Sequence, residues 1–373
     1  MGRLITSMES GHHNPSVKEA HNPFTICHTN HLDKEAMVAS TGGSLKEDGT
    51  PQHPKSRAVV KNPVKVLTNL SDSEQLYILE GCRDNCRLDG RARTDLRPFT
   101  VLTGDPLILS HGSSRVFLST DQSTQILCSV KAELVRPAVH NPHEGTVELH
   151  VDWLLSSDAL QQQQKRQQRL RRTQGQQLQS MLSFLLQKHL CPLESLCVVP
   201  HHYAWKLSLD VLVLSSEGGA VVDLASRAMR AALFQTKLPH IVPLSTKGKA
   251  QVDLSVDGDM QKARSVLGAN DDDDCPVVVS VAVLQCPPRA TPVLVLDPTL
   301  EEELCASCIV HVAVTRSLSV VAIENATGSV PFGSLPDITA TAAQAAKQVF
   351  ESLDQNTIPT STESLLQEQF RKY

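Results

Sequence analysis

The sequence predicts an α+β protein, and three observations carry that expectation. The first is the stretch from Trp205 to Leu233, which reads as a buried strand, a Gly-Gly turn and an amphipathic helix in succession. The second is a set of four strand-like runs near Thr100–Leu109, Ser114–Ser119, Gln125–Leu134 and Thr146–Val151, separated by turn residues. The third is a repeat of this plan in the second half, where strands are followed by a closing helix.

Residues 1–66 are rich in Ser, His, Asn, Pro, Gly and Lys and have no sustained period, so they are read as a disordered extension. The histidines there (His12, His13, His21, His28, His31) fit no tetrahedral cage, and no metal is expected. Folding starts at Ser71, an N-cap whose capping box is completed by Glu74. Leu76, Ile78 and Leu79 supply the apolar side of that first helix. Gly104-Asp105-Pro106, His111-Gly112, Thr120-Asp121 and Asn141-Pro142 punctuate the strands that follow. Residues 161–179 are a Gln/Arg-rich, low-complexity insertion, expected to lead into a core helix beginning near Gln176 with the stripe Leu178, Met181, Leu182, Leu185, Leu186.

In the Trp205–Leu233 unit, Leu207, Leu209, Val211 and Val213 share one strand face, while Leu212 and Leu214 leave the other apolar too. Gly218 and Gly219 permit a tight turn. The helix puts Val221, Leu224, Ala225, Ala228 and Ala232 on one stripe, with Asp223, Arg227 and Arg230 opposite. A Gly-rich turn at a helix N-terminus is a natural anion site. Here Ala220 and Val221 offer an anion neither hydroxyl nor charge, so the position reads as built for phosphate and then emptied. Later strands are expected at His240–Leu244, Pro276–Leu284, Val293–Leu296, Cys308–Thr315 and Ser319–Glu324, and a helix with the stripe Ala342, Ala345, Ala346, Val349, Phe350, Leu353. The acidic run Asp271–Asp274 lacks EF-hand spacing and is read as a solvated loop. Cys305 and Cys308 lead into a strand and are read as core residues rather than a redox or zinc pair.

The 373 residues carry a net charge of −5, which argues against an overall basic coat for nucleic acid. Aromatic residues are only 3% of the chain, so base stacking is not expected to dominate any nucleic-acid contact. No apolar run is long enough to cross a bilayer, and no apolar leader is visible at the N-terminus. The scattered cysteines suit reduced thiols in cytosol or nucleus. Local basic groups must carry any nucleic-acid contact. The candidates are Arg115 and Lys131 on strands, and Lys165, Arg166, Arg169, Arg171 and Arg172 in the insertion, where phosphate gripping and a solvated basic loop both remain open.

Five segments, in order, carry a resemblance to the ribonuclease PH family: Ser71–Phe99 with its R-x-D-G-R…R-P signature (Arg87, Asp89, Gly90, Arg91, Arg97), Gly112–Leu134, Pro142–Asp152, Trp205–Leu233 and Leu296–Val314. Within the family the chain resembles eukaryotic exosome ring subunits of the ribosomal RNA-processing 42 type. The resemblance implies the ribonuclease PH fold of two similar β-sheet/helix halves, a first part over 71–244, a C-terminal part over 245–356 and a tail over 357–373. Phosphorolytic members carry Gly-Gly-Thr-Arg where this chain has Gly218, Gly219, Ala220, Val221. Positioned donors of that kind contribute roughly 2.7–4 kcal/mol each, so their loss implies a silent site. Asp297, Glu301, Glu302 and Glu303 resemble the first of the family's acids, but no carboxylate stands in Leu304–Ile309, where a further Asp belongs. Without a second converging carboxylate, an acidic turn favoured by the helix dipole is the simpler reading.

The implied function is a non-catalytic exosome ring subunit, needing no cofactor and no catalytic residue of its own, that serves 3′-to-5′ RNA processing and decay, ribosomal RNA included. The implied partners are other ribonuclease PH-type ring subunits, S1/KH cap subunits, an attached hydrolytic exonuclease and single-stranded RNA in the channel. The implied location is nucleus, nucleolus and cytoplasm. A phosphate-dependent exoribonuclease completed by its ring partner is the alternative. A stand-alone RNA-binding protein is disfavoured by the net acidity.

Overall fold

The computed structural model describes residues 70–104, 110–154, 161–244, 253–267, 274–285, 292–330 and 332–359, with the side chains of 161–172 left out. The chain divides into two units, Met1–Val59 and Val60–Tyr373, and every described residue belongs to the second. The expected disordered extension, residues 1–66, lies outside the described residues.

Helix α1 (Asp72–Arg83) precedes strands β1 (Phe99–Thr103), β2 (Gly112–Leu118), β3 (Thr124–Val135) and β4 (Thr146–Trp153). Helix α2 (Gln161–Leu186), β5 (Cys197–Val199), β6 (Tyr203–Ser216) and α3 (Val221–Gln235) follow. The short strands β7 (Lys237–Leu238), β8 (Ile241–Leu244), β9 (Asp253–Val256) and β10 (Arg264–Ser265) lead into the second half. That half contains β11 (Val277–Leu284), β12 (Val293–Leu296), α4 (Leu300–Cys305), β13 (Cys308–Val314), β14 (Val320–Gly328), α5 (Leu335–Asn356) and β15 (Thr357–Pro359).

The first sheet has the order β15-β1-β2-β3-β6-β4, with β5 paired to β6. The second has the order β12-β11-β13-β14, and β7/β10 and β8/β9 form two-stranded pairs. Helices α2, α3 and α5 lie between the sheets: α3 touches β2 and β3 on one side and β11 on the other, and α5 touches β11, β13 and β1. On the far face of the second sheet, α1 packs Ile78 and Cys82 against Ala282, Leu284 and Val295. Every residue of β11 and β13 is buried because both faces are covered. Burial of each large apolar side chain contributes about 1.5–3 kcal/mol, and residues such as Leu207, Leu209, Val213 and Leu224 are fully buried.

The capping box at Ser71 and Glu74 forms as expected. Of the apolar residues assigned to that helix, Ile78 is buried but Leu76 is half exposed. Three expectations need correction. First, the Gln/Arg-rich stretch is not a loop leading into a helix near Gln176: α2 runs continuously from Gln161. Gln and Arg are strong helix formers, and the anchored turns around Leu182 propagate helix backwards. Second, α3 has no solvent face. Asp223, Arg227 and Arg230 are buried with the apolar stripe, because the second sheet covers the side that the first leaves free. Third, residues 357–359 of the expected tail are β15, paired in parallel with Val101–Thr103 of β1.

Candidate functional site

The turn between β6 and α3 is held from three sides. Gly218 N–H donates to Thr124 Oγ1 at 3.1 Å, and that hydroxyl donates to Gly219 O at 3.0 Å. Gly219 has φ +72°, and Ala220, the N-cap of α3, has φ +51°. Left-handed backbone at alanine costs roughly 1–2 kcal/mol, so neighbouring contacts must hold it. A Cβ on Gly219 would lie 2.7 Å from Leu300 N and 3.0 Å from Glu303 Oε1, so only glycine lets α4 approach this closely.

The anion position at this helix start is filled, not empty. Ala220 N–H donates to Glu303 Oε1 at 2.8 Å. A carboxylate from the second half thus occupies the place where the sequence suggests a phosphate. Glu303 is half-buried by surface but enclosed by protein, and burial pushes its carboxyl up to about 7. The Ala220 N–H opposes that rise and Asp223 adds to it.

The acidic segment and the arginine signature are two sides of one lock. The backbone N–H and Nε of Arg97 donate to Asp297 Oδ2 at 2.7 and 2.9 Å, and Nη2 donates to Oδ1 at 2.7 Å. Arg97 Nη1 reaches Gly218 O at 2.6 Å, tying the lock to the turn. Arg87 Nε donates to Glu302 Oε1 at 2.8 Å, and its Nη2 also pairs with Glu302 Oε2. Arg87 and Glu302 are both buried. Arg91 bridges Asp89 and Asp297. Burial alone would raise the Asp297 carboxyl, but the Arg97 hydrogen bonds and charge hold it below the usual carboxylate range. Thr299 and Glu302 also form a capping box on α4.

Deeper in, a second acid sits on α3. Asp223 accepts from Ser280 N at 3.1 Å and from Ser280 Oγ. Ser280 Oγ lies 2.7 Å from His311 Nδ1. With the hydroxyl proton on Asp223, His311 Nδ1 is the donor. Burial pushes the Asp223 carboxyl up to about 6 and the His311 imidazole down to about 4. The order carboxylate–hydroxyl–imidazole, fully enclosed, is a structural relay and presents no nucleophile. Arg227 is also enclosed. It stacks over Phe99 at 4.4 Å, and its Nε and Nη2 have no hydrogen-bond partner among the described residues. Burial pushes its guanidinium below the usual range.

Gly218, Gly219, Ala220 and Val221 do lie together, but as a turn already satisfied by the chain's own groups. The candidate RNA residues are dispersed. Arg115 is half-buried on β2 and donates through Nη2 to Gln125 Oε1 at 2.6 Å. Lys131 is exposed on β3 and pairs with Glu133. Lys165, Arg166, Arg169, Arg171 and Arg172 fall on the first half of α2, and their side chains lie outside the description. Cys305 and Cys308 stand at the end of α4 and the start of β13. Of the acidic run, Asp274 is exposed and the rest lies outside the described residues. Among the described residues no group of three or more His, Cys, Asp or Glu is placed to hold a metal ion. The Glu303–Ala220 contact escapes sequence reasoning. The closeness of an acidic turn to a Gly-Gly turn 83 residues earlier leaves no local signal.

Residues 95–239 match the 3′ exoribonuclease family, domain 1, and residues 274–331 match its domain 2. The chain is 28% identical over 262 residues to "Exosome complex component RRP45" of Danio rerio, covering 70% of this chain and 60% of that relative. It is 27% identical over 295 residues to "Exosome complex component Rrp42" of Sulfurisphaera tokodaii, covering 77% of this chain and 94% of that one. Among solved structures, an "Archaeal exosome core" chain superposes with a TM-score of 0.55 at 19% identity, covering 76% of this chain and 97% of that one. That likeness shows the fold: the two sheets and the helices between them are of ribonuclease PH type.

Proposed function

The chain belongs to the ribonuclease PH type of 3′ exoribonuclease family, and from that premise we propose that it is a catalytically silent ring subunit of an RNA exosome. The names of its relatives support the assembly, and the filled anion position supports the silence. The single observation that carries the reading is the Glu303 carboxylate on Ala220 N–H. Inorganic phosphate entering there would meet the Glu303 carboxyl group already seated on that N–H. The nearby Arg97 is not free to offset it, being engaged by Asp297 and Gly218. Phosphoryl chemistry depends on preorganised donors aimed at developing charge, and here those donors serve the fold.

In this reading the chain contributes wall and contacts to a ring that passes single-stranded RNA to a hydrolytic nuclease held by the assembly. S1/KH cap subunits would complete it. Ribosomal RNA maturation and RNA turnover are the tasks, in nucleus, nucleolus and cytoplasm. RNA contact would fall to the basic first half of α2 and to Lys131.

The test is a phosphate-dependence assay on the chain co-purified with its ring partner and given single-stranded RNA with a free 3′ end. The expected result is a stable complex with no nucleoside diphosphate release once the partner's own site is inactivated. Release that persists after that inactivation would make this chain an exoribonuclease completed by its neighbour.

A further inference from the structure

A cleft of about 680 Å³ opens at the far end of α3 from the Ala220 turn. Val266 on its wall donates its N–H to the carbonyl of Thr236, the C-cap of α3. The 15 residues of that helix, roughly 22 Å at 1.5 Å each, therefore separate the cleft from the filled anion position. Its volume lies within the roughly 300–1,000 Å³ of sites that take small organic molecules.

Three kinds of chemistry line it. Leu190, Cys191, Val266 and Leu267 are buried and form an apolar floor, which Val321 extends. The turn from β13 to β14 supplies hydroxyls. Thr315 Oγ1 donates to Ser319 O at 3.2 Å, and Ser317 Oγ donates to Ser319 Oγ at 3.2 Å. The Ser319 hydroxyl, which is exposed, thus keeps its own proton for an outside acceptor. The rim carries charge. Lys188 and Arg264 are exposed and pair with no carboxylate among the described residues. Arg264 Nη1 donates to Ser195 O at 3.1 Å, which fixes the guanidinium at the cleft without neutralising it. Asp274 is the one carboxylate among the described lining residues. His189 adds little charge near neutral pH, because burial and Lys188 hold its imidazole below the usual range against the pull of Asp274. Two cations facing one carboxylate leave room for an anion.

Each zone narrows the ligand. Inorganic phosphate would use the rim and leave the floor bare, and a fatty acid would leave the hydroxyls without partners. A nucleotide has all three matching parts: base faces for the floor, ribose hydroxyls for the serines and a phosphomonoester for the cations. We propose that this cleft binds a 5′-mononucleotide, with its phosphate on Lys188 and Arg264, its ribose along Ser317 and Ser319, and its base against Leu190, Val266 and Leu267. The site stands on the cleft alone and does not depend on the ring-subunit reading.

The experiment is calorimetric titration of the full chain with AMP and UMP, with adenosine and inorganic phosphate as the separate halves of the ligand. One mononucleotide per chain is expected, bound about tenfold or more tightly than either half. Lys188→Gln and Arg264→Gln are each expected to weaken it about tenfold, Val321→Trp to abolish it by filling the floor, and Lys262→Gln, outside the cleft, to leave it unchanged. No binding of either nucleotide by the wild type overturns the proposal. So does adenosine binding as tightly as AMP, since the rim cations would then have no part in it. Binding that survives in Lys188→Gln, Arg264→Gln and Val321→Trp alike places the nucleotide elsewhere and also refutes the site. A 5′-phosphorylated RNA that binds a hundredfold more tightly than AMP, and loses that affinity in the same variants, overturns the mononucleotide assignment and makes the cleft part of an RNA path. Should Val321→Trp fold poorly, Lys188→Gln decides, because Lys188 has no partner in the chain whose loss could disturb the fold.

Discussion

Glu303 holds a carboxylate against the N-terminus of a helix while Asp223 and Asp297 stand close enough to feel its charge. The contact is favourable for an anion, yet burial and the other acids favour the protonated form. The folded value of about 7 lies above the free value of 4.5, so between them the folded chain binds the proton more tightly than the unfolded chain. Stability tied to this group is therefore greatest below pH 4.5 and is lost as pH rises through 7. Glu303→Gln keeps an oxygen for the Ala220 N–H and carries no charge. Urea unfolding should find it equal to wild type near pH 4.5 and more stable by about 2 kcal/mol at pH 8. That figure follows because each tenfold change in proton affinity is worth about 1.4 kcal/mol, and solvent screens part of the total. A difference that does not vary with pH would refute the account. The partner across the contact is equally constrained. Gly219→Ala would push a Cβ into Leu300 N while forcing alanine to φ +72°. A loss of about 2–4 kcal/mol is expected from strain and the displaced turn, measured by the same titration.

At the scale of elements, the segment between α1 and β1 is a connector with almost no apolar content of its own, and it is fixed by arginines. Arg87 and Arg97 reach the loop and helix after β12, 215 and 200 residues away in sequence. Removing one member of such a buried pair strands the other, at about 3–5 kcal/mol. Arg87→Met and Glu302→Leu should each cost that much, and the double variant should cost less than either alone. Additive losses in that cycle would mean the pair does not act as a unit. This lock is half legible in the sequence. The signature arginines and the acidic turn stand out as motifs, but pairing them needs the fold, because charge spacing carries no information across so long a separation. Strands β2, β3, β4, β6, β11 and β13 are legible because apolar alternation or an apolar run persists for several residues. The first half of α2 is not, since residues 161–175 carry a single leucine, and a stripe cannot be read without apolar members. The polar side of α3 misleads for a related reason: period tells which residues share a face, not whether a second sheet will cover it.

At the scale of the whole molecule, the last described strand returns to where the sheets begin. β15 lies beside β1 in parallel, with Thr357, Ile358 and Pro359 opposite Val101, Leu102 and Thr103. Asn356 Nδ2 donates to Phe99 O at 3.4 Å, at the point where α5 gives way to β15. The last helix and strand thus cross from the second half back to the first, so neither sheet can leave without disturbing α5. β15 also covers the edge of β1, and an uncovered edge strand offers unpaired backbone groups to other chains. Truncation after Asn356 should therefore lower stability by about 1–3 kcal/mol, the contribution of a few ladder hydrogen bonds, and raise concentration-dependent association by light scattering. Truncation after Thr360 retains β15 and serves as the comparison; it should match the full chain in both measurements. Equal losses from the two truncations would assign the effect to the residues beyond the strand and remove β15 from the account of how the two halves are held together.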